Sequence, residues 1–150
     1  MKKQTVAKEV PLAEITLRKY EKPYNLKDRD LVKKLCLSIG LLQPGDSRDV
    51  VVDVLQVLLK NKSLTSNEVE EKVIESRKSQ KLPPVGIASS NIRRHLKRLK
   101  DIFLIESTGS AYRITENARL SEIFTEKIEQ YYLKTISERV KEYFEALDKE

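Results

Sequence analysis

The densest group of side chains that could bind a ligand lies in the segment 89–100, which carries five cations and no acid. Guanidinium and ammonium groups donate charge-assisted hydrogen bonds to phosphate oxygens, so this pattern indicates an anion-binding surface. The net charge of +6 is also unevenly placed. Residues 88–100 contribute +5 (five basic, no acidic), whereas residues 101–150 contribute −4 (seven basic, eleven acidic). The cations are Arg93, Arg94, Lys97, Arg98 and Lys100.

The other reactive residue types are too few or too scattered to predict catalysis. The chain has one histidine, His95, and one cysteine, Cys36, which stands in an apolar run and reads as a buried thiol. Asp46, Arg48 and Asp49 resemble a catalytic or metal cluster, but their place in the turn QPGDSRD favours helix caps and first-turn acids. We therefore expect that the protein is not an enzyme and that it binds neither a metal nor a cofactor.

The basic segment has the periodicity of a helix with one narrow apolar stripe. At about 100° per residue, the apolar side chains of the segment fall within about 60°, and His95 lies at their boundary. The cations cover most of the remaining circumference, and Ser89 or Ser90 is placed to cap the N-terminus. The apolar stripe consists of Ile92, Leu96, Leu99 and Phe103.

The N-terminal part, residues 1–46, is predicted to form an arm followed by a helix. Alternation at Ile15 and Leu17 hints at a strand in the arm, and Asn25 can cap a helix over residues 26–41. The apolar positions of that helix recur at four-residue steps, at Leu31, Leu35 and Ile39.

Two further helices and a hairpin are expected around the basic helix. Residues 50–62 are apolar on almost every side and predict a buried helix, although three successive valines leave a β-strand as the alternative. Thr65 and Glu68 have capping-box spacing before a helix that ends near Ser79. A Gly-containing turn near Ser110 predicts a short β-hairpin within residues 104–115. The helix that ends near Ser79 should turn Val69, Val73 and Ile74 inward.

This order of helix, helix, basic helix and hairpin over residues 47–115 resembles a winged helix-turn-helix domain. The likeness rests on Ser89-Ser90 before the third helix, on Ile92-Leu96-Leu99, and on the hairpin. The segment GLLQPGDSRD is similar to that of predicted archaeal transcriptional regulators of this class. Two features depart from the pattern: Ile102-Phe103 replaces the frequent glycine, and the connection 80–87 is long and proline-rich.

The resemblance implies sequence-specific binding of double-stranded DNA by a transcriptional regulator. In such domains the third helix enters the major groove with its N-terminal residues near base edges. Ser89 lies at the helix start, where N–H groups attract phosphate. The residues that the resemblance places near bases are Ser90, Asn91, Arg94 and Arg98. Those that it places on phosphates are Arg93, Lys97 and Lys100, with Thr108, Ser110 and Arg113 of the hairpin on the backbone or minor groove.

The last part of the chain, residues 116–150, predicts one long helix from Glu116 to Asp148. At about 1.5 Å per residue it spans roughly 50 Å, too long to bury its apolar stripe on a small domain. We expect homodimerisation through this stripe, and the open alternative is that the helix bends or breaks near Tyr131. The stripe contains Leu120, Phe124, Ile128, Tyr132, Ile136, Val140, Tyr143 and Leu147.

The main alternative function is a winged-helix protein–protein interaction module in a transcription or replication assembly, since fold alone does not decide function. RNA binding is a further alternative, but the sequence lacks an aromatic stacking platform. Neither a membrane-spanning run nor the apolar segment of a secretion signal is present, so we expect a cytoplasmic protein.

Overall fold

The computed structural model describes residues 9–150 and is mainly helical, with a small antiparallel sheet and a long C-terminal helix. This coarse architecture confirms the expectation from the sequence. No helix of the described residues is long and apolar enough to cross a membrane. The elements are α1 (Asp28–Ser38), α2 (Val50–Leu59), β1 (Leu64–Thr65), α3 (Ser66–Ser79), α4 (Ser89–Asp101), β2 (Ile105–Thr108), β3 (Ala111–Ile114), α5 (Leu120–Ile123), a π-helical segment (Phe124–Leu133) and α6 (Lys134–Asp148).

Helix α2 is the centre of the core. Every residue from 50 to 58 is buried, because α1, α3, α4 and β3 surround the helix. The three successive valines form its first turn rather than a strand, since burial on all sides outweighs their preference for β structure. The prediction of a buried helix is therefore confirmed.

The N-terminal helix is shorter than predicted. Helix α1 begins at Asp28 after an extended Lys27 without a side-chain cap, so the prediction of a cap at Asn25 is wrong. Leu31 is 43 % exposed, whereas Ile39 is buried, so the inward stripe lies closer to the end of the helix than predicted.

The arm has no strand within residues 9–24. It is attached to the end of α1 by Arg18, whose backbone N–H donates to the carbonyl of Ser38 at 2.8 Å. The Arg18 guanidinium donates to the carbonyl of Leu37 at 2.6 Å. These bonds satisfy carbonyls that a helix C-terminus leaves unpaired.

Helix α3 begins with the predicted capping box. Glu68 donates its N–H to Thr65 Oγ1 at 3.2 Å, and Thr65 donates its N–H to Glu68 Oε1 at 2.8 Å. Val69 and Val73 are buried as predicted, but Ile74 is 38 % exposed. The inward position in the next turn is taken by a charged residue, Arg77.

Arg77 belongs to a buried ion cluster that joins α1, α2 and α3, defined by Arg29, Asp49, Asp53 and Arg77. Its Nη1 donates to Asp53 Oδ2 at 2.6 Å and to Asp49 Oδ1 at 3.1 Å. Arg29 Nε donates to Asp53 Oδ1 at 2.9 Å. Burial would raise the pKa of Asp49, but the attraction of Arg29 and the bond from Arg77 outweigh burial and lower it. Asp49 occupies the N-cap position of α2, but its side chain pairs with arginines and makes no cap hydrogen bond.

The sheet has the order β1–β3–β2, all antiparallel. The predicted hairpin is present: Ile105 pairs with Ile114, Thr108 pairs with Ala111, and Gly109 takes a positive φ of 64° in the turn. β1 is a third strand that was not predicted, because two residues are too few to show alternation.

The long helix begins later than predicted. Glu116 and Asn117 have positive φ values of 56° and 51°, which end the hairpin in a short 3₁₀ turn before Leu120. From Leu120 the backbone stays helical through α5, the π-helical segment and α6, without a break at Tyr131. We call residues 120–148 the C-terminal helix.

The two halves of the C-terminal helix differ in what they contact. In the first half Ile123 and Ile128 are 2 % and 1 % exposed, so the assignment of Ile128 to a dimer contact is wrong. Leu120 and Phe124 also pack against the core, and Tyr132 lies edge-on to Phe103 at 5.4 Å between ring centroids. In the second half α6 has no buried residue.

Candidate nucleic-acid interface

The basic helix α4 begins at Ser89, and its N-cap residue is Ala88. The prediction of a serine cap is wrong, because no side chain caps this end. Ser89 instead donates its hydroxyl to Glu70 Oε2 of α3 at 2.7 Å. This bond fixes the N-terminus of α4 to α3, and only Ser90 of the pair remains exposed.

One side of α4 presents an uninterrupted row of exposed polar and basic side chains, Ser90, Arg93, Lys97 and Lys100, which we call the outer stripe. Lys97 makes an exposed pair with Asp101 at 3.3 Å, and Lys100 donates to Ser107 Oγ at 3.1 Å. Arg93 has no hydrogen-bond or ion-pair partner among residues 9–150. These long cationic side chains are therefore available to an external anion.

A second row of α4 residues, Asn91, Arg94, His95 and Arg98, faces the turn between α1 and α2, and we call it the side stripe. Asn91 Nδ2 donates to the carbonyl of Gly86 at 2.6 Å, and Asn91 Oδ1 accepts from Arg94 Nη2. Both ends of the amide are occupied, so the structure does not support the expected base contact by Asn91.

Arg98 is likewise used within the fold. Its Nη2 donates to the carbonyl of Leu41 at 2.8 Å, where the chain leaves α1. The side chain is half-buried and links α4 to the N-terminal part of the protein. The bond joins residues 57 positions apart, which a helical wheel cannot reveal, and the expected base contact by Arg98 stays a prediction.

The hairpin contributes exposed hydroxyls but a neutralised arginine. Thr108 and Ser110 are exposed at its tip. Arg113 Nε donates to Glu106 Oε2 at 2.7 Å. The backbone N–H of Glu116 also binds that carboxylate, and together with Arg113 it lowers the pKa of Glu106. Arg113 thus adds little net positive charge to the surface.

The side stripe contains His95, which the helical wheel placed at the edge of the apolar stripe of α4. His95 is 7 % exposed, and its Nδ1 has no hydrogen-bond partner among the described residues. Burial, with the nearby charges of Arg98 and Arg94, lowers the pKa of His95 from 6.5 to about 4. His95 is therefore neutral at pH 7.

This depressed pKa predicts an acid-sensitive fold. The unfolded chain binds a proton near pH 6.5, whereas folded His95 does so only near pH 4, so stability falls as the pH drops between these values. At 1.36 kcal/mol per pKa unit, the free energy of unfolding should decrease by about 3 kcal/mol from pH 7 to pH 4 through this group. Urea unfolding of the wild type and of His95→Gln measures the effect. A variant with the same pH dependence as the wild type would refute the assignment.

Comparison with family models, with curated proteins and with solved structures found no match to this chain. The function is therefore inferred from the fold and from the charges that it displays. The outer stripe is the largest cationic feature of α4, and it lies beside the hydroxyl-bearing hairpin, as the bond from Lys100 to Ser107 shows.

Proposed function

We propose that the protein is a winged helix-turn-helix regulator of transcription that binds duplex DNA as a homodimer. The observation that carries this proposal is the outer stripe together with Arg94. Four exposed cations on one helix repel one another, and a single acid, Asp101, offsets them. A polyanion in contact with α4 would relieve this repulsion and release the counterions that otherwise cover the phosphates.

The arrangement of elements supports the winged-helix part of the proposal. Helices α2, α3 and α4 pack on one another, and the β2–β3 hairpin follows α4 directly. α4 is 13 residues long, enough for a recognition helix in the major groove. Ser90 and Arg94 would then approach base edges, and Arg93, Lys97 and Lys100 would contact phosphates.

The exposed half of the C-terminal helix supports the homodimer. Val140, Tyr143 and Leu147 are 48 %, 70 % and 71 % exposed, and with Ile136 they follow the three-four spacing of a coiled-coil seam. A contiguous apolar stripe on an otherwise polar helix indicates a protein contact. A second copy would bury it symmetrically and present two α4 helices to successive turns of DNA, about 34 Å apart.

The dimer contact can be tested by charge substitution on the stripe. We expect Val140→Lys/Leu147→Lys to give a folded monomer, because the charged side chains cannot be buried in an apolar seam. Sedimentation velocity measures the mass, and circular dichroism confirms that the helices remain. As a control, Glu138→Lys/Glu145→Lys places the same residues on the opposite face and should leave the dimer intact. A wild-type monomer at 100 μM would contradict the proposal.

The alternative function is that of a protein-interaction module that binds an acidic protein through the same helix, α4. Fluorescence anisotropy separates the two, with a labelled 30-base-pair duplex and two unlabelled competitors. The competitors are unlabelled duplex and polyglutamate, compared at equal concentrations of negative charge. DNA binding predicts that the duplex displaces the labelled DNA at a far lower concentration than polyglutamate does. Equal displacement by both polymers would favour the protein-binding module, because it would show that α4 recognises charge without the geometry of a duplex.

A further inference from the structure

A cavity of about 450 Å³ lies between the side stripe of α4, the turn 43–48 and the start of α2. It is a second place where positive charge collects, separate from the outer stripe. The charged and polar side chains that line it are Asp46, Arg48, Asn91, Arg94, His95 and Arg98.

The residues that line the cavity carry more positive than negative charge. Three guanidinium groups, from Arg48, Arg94 and Arg98, face one carboxylate, Asp46. None of the three arginines forms an ion pair among the described residues, whereas Arg29, Arg77, Arg113 and Arg139 all do. Asp46 accepts the backbone N–H of Arg48 at 2.9 Å, which holds the turn. A net charge of +2 is therefore left without a counter-ion inside the fold.

Two further parts of the lining come from the core. The first turn of α2 lines the cavity at Val50 and Val51, and its N-cap residue, Asp49, makes no side-chain cap bond. His95 lines the same cavity and is 7 % exposed. Its Nδ1 has no hydrogen-bond partner among the described residues, but this atom is itself buried and does not open into the cavity.

The cavity is shaped before any ligand enters. Gly86 has a φ of +79°, and a Cβ there would lie 3.1 Å from Asn91 Nδ2 and 3.3 Å from Val50 Cγ2. This close fit fixes Asn91 and, through it, Arg94. The remaining wall is apolar, formed by Leu41, Leu42 and Val85. Its size and mixed lining match those of small-molecule sites.

We propose that this cavity binds a small organic molecule with a terminal phosphate group. A phosphate monoester has a charge near −2 at neutral pH, which balances the lining, and its oxygens can accept charge-assisted hydrogen bonds from the guanidinium groups of Arg48 and Arg98. The apolar wall receives the organic part. Arg94 also belongs to the proposed DNA contacts, so the test of the cavity is made in the absence of DNA.

The only histidine of the chain is a spectroscopic probe inside this cavity. We would record the imidazole signals of His95 by NMR at pH 7 and titrate with phenyl phosphate, in the absence of DNA. The expected result is a saturable shift of both carbon-bound ring protons, with a smaller response to inorganic phosphate and none to benzyl alcohol. No saturable shift up to 10 mM phenyl phosphate would overturn the proposal.

Variants locate the site. Arg48 is exposed and has no side-chain bond within the described fold, so Arg48→Gln should stay folded and weaken binding about tenfold or more, the value of one charge-assisted hydrogen bond. Arg139→Gln removes an arginine from α6 and should leave the binding of phenyl phosphate unchanged. Equal affinities of Arg48→Gln and wild type would overturn the proposal. So would a His95 shift caused by duplex DNA but not by phenyl phosphate, which would assign the cavity to a backbone phosphate.

Discussion

Replacing the three cations of the outer stripe, in Arg93→Gln/Lys97→Gln/Lys100→Gln, should weaken duplex binding at 0.1 M salt by at least about a hundredfold. The dimer loses six cationic side chains, and each phosphate contact contributes about 0.9 to the logarithmic salt slope. All three side chains are exposed and none supports the core, so the variant should fold normally. Anisotropy with the generic 30-base-pair duplex measures the loss.

A matched variant distinguishes the effect of the position of the cations on α4 from the effect of the net charge of the protein. Lys134→Gln/Arg139→Gln/Lys141→Gln removes the same number of cations from exposed positions of α6. We expect this protein to bind the duplex within about threefold of the wild type, because charges beyond the Debye length are screened at this salt concentration. Equal losses in both variants would show that net charge, and not α4, attracts the DNA.

Asp53→Asn should lower the free energy of unfolding by about 3–5 kcal/mol, the usual cost of removing one partner from a buried ion pair. Asp53 is 0 % exposed and receives hydrogen bonds from Arg29 and Arg77. The amide has nearly the same shape as the carboxylate, but it leaves two guanidinium groups with Asp49 as their only counter-charge. Urea denaturation at pH 7 measures the change.

The control for this prediction is an exposed pair with similar chemistry. Asp101→Asn removes the partner of Lys97, whose side chain is 75 % exposed, and should change the free energy of unfolding by less than about 1 kcal/mol. A cost for Asp53→Asn as small as that of Asp101→Asn would mean that the ion cluster does not hold α1, α2 and α3 together.

Periodic features of this chain could be predicted because their cause is local. The buried α2, the capping box at Thr65 and the hairpin each follow from neighbouring residue types, and all three are present. The boundaries of helices were less accurate. The C-terminal helix begins at Leu120 because Glu116 and Asn117 adopt left-handed conformations that no residue type there requires.

The division of α4 into two stripes could not be predicted, because it depends on residues far away in the chain. The helical wheel placed both Arg93 and Arg98 on the basic face of α4, at opposite ends of it. The Arg98 side chain bonds to the carbonyl of Leu41 at 2.8 Å, and His95 is 7 % exposed within the fold. The same limit applies to Asp49: its place in the turn QPGDSRD indicates a cap or a first-turn acid, whereas its partners Arg29 and Arg77 lie 20 and 28 positions away.

The salt dependence of duplex binding by the wild-type protein tests the central claim most directly. If each subunit neutralises about four phosphates, the dimer should show a slope of log K against log salt near −7. Anisotropy titrations from 50 to 300 mM potassium chloride give this slope. A value between about −6 and −8 is the predicted result. A slope shallower than about −2, or no binding at 50 mM salt, would contradict DNA binding by α4.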